Sequence, residues 1–156
     1  MDYRKEYEKW LASPALSEDE RAELRALEGN DKEIKARFYG PLEFGTAGLR
    51  GTMYTGLHNM NRHVIRWATQ GFANVIRAEG EEAMQKGVAV CMDCRNHSAE
   101  FARETACVMA ANGIHVRLFE SLRPTPELSF AVREYGCQAG VNVTASHNPK
   151  EYNGYK

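Results

Sequence analysis

The chain has 156 residues, 43% hydrophobic and 26% charged, with a net charge of -1. That is long enough for one domain with a core, and the near-neutral balance gives no electrostatic case for nucleic acid or an anionic membrane. No apolar run is long enough to span a bilayer, the charged start Met1 to Glu6 lacks a secretory apolar region, and four cysteines do not make a disulfide framework, so a reduced cytoplasmic setting is expected.

Residues 1–39 are charge-rich and read as a helical leader. Ser17-Glu18-Asp19-Glu20 is a capping box, a serine followed three residues on by a glutamate. It starts a helix over roughly 18–27. An earlier helix is expected over 3–12 and a short third one over 31–38, after the break at Gly29-Asn30. Trp10, Leu11, Leu24 and Leu27 would form the buried face. The leader reads as a packing appendage.

From about residue 40 the pattern becomes that of an α/β domain running to residue 156. A glycine-rich turn leads to a strand over 49–54. Asn61 has the character of an N-cap, with Met60 and Ile65 at the two staple positions around it. Val64, Ala68, Phe72, Val75 and Ile76 repeat at helical spacing until Gly80. A strand over 88–93 follows. Ser98 is expected to cap a helix with Phe101, Thr105, Val108 and Met109 inward. A strand over 114–119 comes next, then a helix capped by Thr125 with Pro126 in its first turn, carrying Leu128, Ala131, Val132 and Tyr135. The last apolar run, 139–143, is a short buried strand. Such alternation with short connections predicts a three-layer α/β/α domain with a mostly parallel, mixed sheet.

Cys91 and Cys94 are spaced C-x-x-C, but Cys91 falls inside a strand, where residues three apart face opposite sides. No second pair completes a zinc site. The thiols read as buried or incidental. His58, His63, His97 and His115 read as surface or helix-edge residues without a role. Asp93 and Arg95 read as a structural pair at a strand end.

Thr144-Ala145-Ser146-His147-Asn148-Pro149 is the most informative stretch. It presents Ser146 on a stiff loop at the carboxyl end of a strand, where open α/β sheets bind ligands. Asn148 precedes a proline and is biased to extended backbone. A serine hydrolase would need a base and an oxyanion hole, and the G-x-S-x-G elbow is absent. On an extended loop His147 would point away from Ser146. Phosphoryl transfer fits better, because it asks the protein mainly for positioning and charge neutralisation. A phosphate on Ser146 would need converging cations, and Arg50 and Lys156 are the candidates. The glycines at 45, 48 and 51 are spaced G-x-x-G-x-x-G, unlike either the dinucleotide or the Walker pattern.

The Ser146 loop and the following Lys150-Glu151-Tyr152-Asn153-Gly154-Tyr155-Lys156 resemble the phosphoserine loop of the phosphohexomutases, the phosphoglucomutase/phosphomannomutase superfamily. Glu43-Phe44-Gly45-Thr46-Ala47-Gly48-Leu49-Arg50-Gly51 is similar to the family's first conserved loop. Asp93-Cys94-Arg95 with Ser98, and Arg123-Pro124-Thr125-Pro126-Glu127-Leu128, resemble its next two signatures, in the family's order. The leader, Met60-Asn61 and Thr69-Gln70-Gly71 resemble the phosphoglucomutase and phosphopentomutase branch.

The resemblance implies a phosphoserine at Ser146 that passes its phosphoryl group to a sugar monophosphate. The sugar bisphosphate then returns its other phosphate, which interconverts sugar 1-phosphate and 6-phosphate (1 and 5 for a pentose). It implies catalytic roles for Ser146, His147, Arg50 and Lys156, and substrate or loop contacts for Thr46 and Asn148. It also implies Mg²⁺ on the Ser146 phosphate, with its other ligands outside this chain, and a sugar bisphosphate as primer. Glucose phosphate is the first expectation, pentose phosphate the second and mannose phosphate a further alternative.

No Asp-x-Asp-x-Asp triplet occurs, although the family's metal loop carries one. The chain is therefore expected to be the first domain of a longer multi-domain enzyme, with the remaining domains as its partners and little turnover alone. A binding domain that kept the fold and lost the reaction is the alternative.

Overall fold

A computed structural model describes residues 1–156. The leader forms three helices, α1 (Tyr3–Leu11), α2 (Glu18–Arg25) and α3 (Asp31–Phe38). Each begins at a polar cap: Asp2 accepts from the amides of Arg4 and Lys5, Asn30 from Glu33. At α2 the capping box closes both ways. The Glu20 amide donates to Ser17 Oγ at 3.3 Å, and the Ser17 amide donates to Glu20 Oε2 at 2.7 Å. Leu16, Leu24, Leu27, Ile34 and Phe38 bury together with Leu57 of the following domain, and Trp10 packs on Phe38 edge to face.

The leader is also tied to the domain by charge. Arg37, only 9% exposed at its side chain, pairs with Glu33 and Glu23, and Glu23 accepts from the amide and hydroxyl of Thr55. Glu20 accepts from Arg62 at 2.6 Å. His63 lies at the start of the helix capped by Asn61, the helix-edge position expected, but half-buried beside Glu20 and Trp10.

The domain contains β1 (Leu49–Thr52), α4 (Arg62–Ala78), α5 (Glu81–Lys86), β2 (Val88–Met92), α6 (Ser98–Ala111), β3 (Val116–Leu118), α7 (Thr125–Glu134), β4 (Ala139–Val143) and β5 (Tyr152–Tyr155). The sheet order is β1-β5-β4-β2-β3. β3, β2 and β4 run parallel, as the βαβ alternation requires. β5 joins antiparallel to β4 and pairs antiparallel with β1 on its other side, so the sheet is mixed.

The strand period of two explains the layers. Val88, Val90 and Met92 of β2, with Val141 and Val143 of β4, enter the main core with Ile65, Ala73, Ile76, Phe101 and Met109 from α4 and α6. Ala89 and Cys91 face the other way, against Leu128 of α7. Gly140 permits that approach, since a Cβ there would lie 2.8 Å from Val132. Every residue of β2 is buried, as a central strand covered on both faces should be.

Some local expectations fail for identifiable reasons. Val75 is 57% exposed; with Trp67 and Phe44 it lines an open apolar groove beside α4. Tyr135 is exposed too, with the Arg117 guanidinium over its ring. Ser98 is the first residue of α6 and not its cap. His97 occupies the cap in a left-handed conformation, and the Ser98 hydroxyl donates to Asp93 instead. Thr125 likewise follows the cap at Pro124, and its hydroxyl accepts from Asn142. No helix is long and apolar enough to cross a membrane.

Candidate active site

β4 ends at Val143 and the chain turns through Thr144, Ala145 and Ser146 before β5 begins. The loop is not extended at its serine. Ser146 has φ +58, the left-handed region, which for a residue with a Cβ costs about 1–2 kcal/mol. The bend corrects the expectation for His147: its Nδ1 lies 3.4 Å from Ser146 Oγ, and both side chains are exposed.

The strain is held by contacts to both ends of Ser146. Its amide donates to Thr144 Oγ1 at 3.0 Å, and the Thr144 hydroxyl donates to Asp93 Oδ2 at 2.5 Å. Its carbonyl accepts from Arg95 Nη2 at 2.7 Å. The same nitrogen reaches the Asn148 carbonyl at 2.7 Å, while Nη1 reaches those of Pro149 and Tyr152 at 3.0 and 3.1 Å. Asp93 also accepts from the Arg95 amide and from Ser98. The pair at the end of β2 is structural, and the structure it builds is the Ser146 loop. The Asp-x-Arg spacing after a strand was visible in the sequence; the four carbonyls it serves were not.

Arg50 reaches the same loop from β1. It pairs in register with Gly154 of β5, and its Cγ would lie 3.2 Å from a Cβ at that position. The missing side chain at 154 lets Arg50 cross β5, so that Nη1 donates to Asn148 Oδ1 at 3.0 Å. Its Nε is buried without an acceptor. Lys156 continues β5 two residues beyond Gly154, on the face that Arg50 crosses, and its amide pairs with the Asn142 carbonyl. Burial first, and then the Arg50 charge, hold its ammonium pKa below the usual lysine value; Arg95 adds to that and Asp93 opposes it. Neither Arg50 nor Lys156 enters a salt bridge. The Lys156 ammonium thus feels the Arg50 charge, and neither cation is neutralised by an ion pair.

Gly48 makes the junction possible. It has φ +87, and a Cβ there would come within 2.2 Å of the Tyr155 carbonyl. Gly48 and Gly45 exchange backbone hydrogen bonds across a tight turn, whose tip exposes Thr46. Thr46 makes no side-chain hydrogen bond, whereas Asn148 is tied to both Arg50 and Arg95.

Nowhere in the chain do three or more His, Cys, Asp or Glu gather so as to hold a metal ion. Asp93 is committed to Thr144, Ser98 and Arg95. Ser146 would give a single oxygen toward an octahedral magnesium shell, so these residues by themselves do not fit that ion.

Residues 41–156 match the family profile described as phosphoglucomutase/phosphomannomutase, alpha/beta/alpha domain I. The chain is 42% identical over 135 residues to a phosphopentomutase of Pongo abelii, covering 83% of this chain and 22% of that protein. It is 41% identical over 126 residues to a phosphoglucomutase of Staphylococcus saprophyticus, covering 81% and 22%. It is 35% identical over 153 residues to a phosphomannomutase of Mycoplasma pneumoniae, covering 97% and 27%. The crystal structure of a protein from Thermus thermophilus, provisionally named a phosphomannomutase, superposes with a TM-score of 0.67 at 33% identity, over 75% of this chain and 25% of that one. The chain spans about a quarter of the length of these relatives. The profile runs from the first glycine-rich loop through the serine loop to Lys156, the same span that builds the site. This chain belongs to the phosphoglucomutase/phosphomannomutase family, in which it corresponds to domain I.

Proposed function

We propose that this domain carries the phosphoserine of a phosphosugar mutase, and that Ser146 is the residue phosphorylated. The observation that carries this reading is that Arg50 binds the Ser146 loop through Asn148 and its charge bears on Lys156, while neither cation is in a salt bridge. Two such cations repel each other, and a phosphate bearing close to two negative charges removes that repulsion. The unpaired Arg50 Nε adds an unmet donor.

In the forward step the bond from phosphorus to Ser146 Oγ breaks, and a bond to a hydroxyl of the sugar monophosphate forms. The sugar hydroxyl gives up its proton and Ser146 Oγ regains one. His147 at 3.4 Å is close enough to take part in that exchange, and Lys156 gives up a proton more readily than an ordinary lysine. Arg50 neutralises the transferring group through its planar fork. Return of the other phosphate from the bisphosphate restores phosphoserine. Asn148 positions Arg50, and Thr46 is available to a substrate at the turn tip. Magnesium would take from this chain only an oxygen of the Ser146 phosphate.

The substrate is a hexose phosphate, with glucose phosphate first; the phosphopentomutase relatives favour a pentose phosphate as the second reading. The reaction also needs the rest of a longer enzyme as the partner of this domain. The test is phosphate mapping by mass spectrometry on the active protein, with turnover of glucose 1-phosphate and ribose 1-phosphate in the presence of magnesium and a bisphosphate primer. Phosphate on Ser146, lost with activity in S146A, supports the reading. An S146A protein that still turns over either sugar overturns it, and robust turnover by the 156-residue chain alone defeats the need for further domains.

A further inference from the structure

We infer that Arg95 is a positioning residue that sets the direction of the Ser146 hydroxyl, gripping the serine's own peptide group from the far side of the loop. The inference rests on the mutase reading for its catalytic consequence, and on geometry alone for its structural part.

A left-handed serine persists only if its surroundings over-determine it. Here one ion pair reaches both ends of the residue. Asp93 holds the Ser146 amide through Thr144, and Arg95 holds the Ser146 carbonyl directly. Fixing both ends of the residue fixes φ and ψ, and these set the direction of the Cα–Cβ bond that carries Oγ. Arg95 also binds the carbonyls of Asn148, Pro149 and Tyr152, so the loop is wrapped around one guanidinium.

The Arg95 side chain is 12% exposed. Its hydrogen bonds to the loop all go to backbone carbonyls, while Ser146 and His147 are exposed, so it works from behind the reacting face. Only arginine offers several donors in one plane to reach four oxygens; lysine would place a single point charge among them. Arg95 and Arg50 therefore meet the loop in different ways. Arg50 binds the side chain of Asn148, and Arg95 binds the backbone.

The test has a structural arm and a kinetic arm. A crystal structure of the R95M chain is expected to show Ser146 returned to negative φ with the sheet unchanged; Ser146 still near its present φ would overturn the inference. In the active enzyme, R95M should lower kcat about 100-fold, the scale of a misplaced reacting group, with KM nearly unchanged. R95K should fall between, and guanidinium ion added to R95M should recover part of the rate. A raised KM with normal kcat would also overturn the inference. Should R95M fail to fold, T144V cuts the other arm of the grip and must shift Ser146 in the same way, or the inference fails. If wild-type Ser146 never carries phosphate, the mutase reading falls while the structural arm still decides the role of Arg95.

Discussion

Glu20, in the first turn of α2, accepts a 3.1 Å hydrogen bond from Nε2 of His63, in the first turn of α4. The contact joins the leader to the domain, and it has a pH signature. Burial, more than any other influence, holds the His63 pKa below its ordinary 6.5, with Glu20 pulling the other way. Burial also acts to raise the Glu20 pKa, but Ser17, Arg62 and His63 together hold it below 4.5. Both groups have a lower pKa folded than unfolded. Each therefore contributes stability above its unfolded pKa that is lost as pH falls through its folded one. Thermal melts should show stability falling from about pH 6.5 and falling again below about pH 4.5. H63Q should flatten the first limb and leave most of the second, which Ser17 and Arg62 still support. A melting temperature that rises on acidification from neutral pH would sink this account.

Replacing Ser146 should reverse the usual order of alanine and glycine. At an ordinary loop position glycine is the less stable because its unfolded chain is freer. At φ +58 the Cβ itself is the burden. S146G should be more stable than S146A by about 1 kcal/mol, or about 3 °C in Tm. Equal melting temperatures would show that the left-handed serine is unstrained.

Gly48 should tolerate no side chain. G48A meets both a positive φ and the Tyr155 carbonyl 2.2 Å from the new Cβ. Backbone strain and overpacking each cost about 1–3 kcal/mol, so a loss of about 3 kcal/mol is expected. Because the clash falls on the backbone beside Lys156, phosphate on Ser146 should fall with it. Gly29 makes the control: it shares the positive φ but has open space around it. G29A should cost only the backbone part.

Thiol labelling separates the C-x-x-C pair. Burial pushes the Cys91 thiol up to about 11, and Cys91 lies under α7, while Cys94 is exposed. Iodoacetamide followed by peptide mass mapping should modify Cys94 and Cys107 in the native protein and Cys91 only after unfolding. Equal labelling of Cys91 and Cys94 would contradict the packing of β2.

Where local chemistry decides structure, the sequence was readable. The box at Ser17 and Glu20, and the cap at Asn61 with Met60 and Ile65 fully buried around it, define helix starts through contacts within a few residues. α5 was missed because Glu81 to Lys86 is a short polar stretch with one buried side chain and no apolar period. The caps at His97 and Pro124 were missed because Ser98 and Thr125, better cap formers, are claimed by Asp93 and Asn142 from other elements. The site divides in the same way. Ser146, Arg50 and Lys156 were singled out by the resemblance of whole loops and, for the two cations, by the charge that a phosphate on Ser146 would need. The left-handed turn that brings His147 to Ser146, and the wrapping of the loop on Arg95, depend on tertiary contacts that spacing does not encode.

The place of β5 governs when this domain can finish folding. Its strand is the last of the five in the chain, yet it lies between β1 and β4. β1 has no other strand neighbour, and about a hundred residues separate the two partners in synthesis. Until Tyr155 leaves the ribosome, Leu49 to Thr52 has nowhere to dock and Arg50 is adrift from the serine. A nascent chain halted a few residues early would have its helices and three parallel strands, but Arg50 would not yet be held against the Ser146 loop.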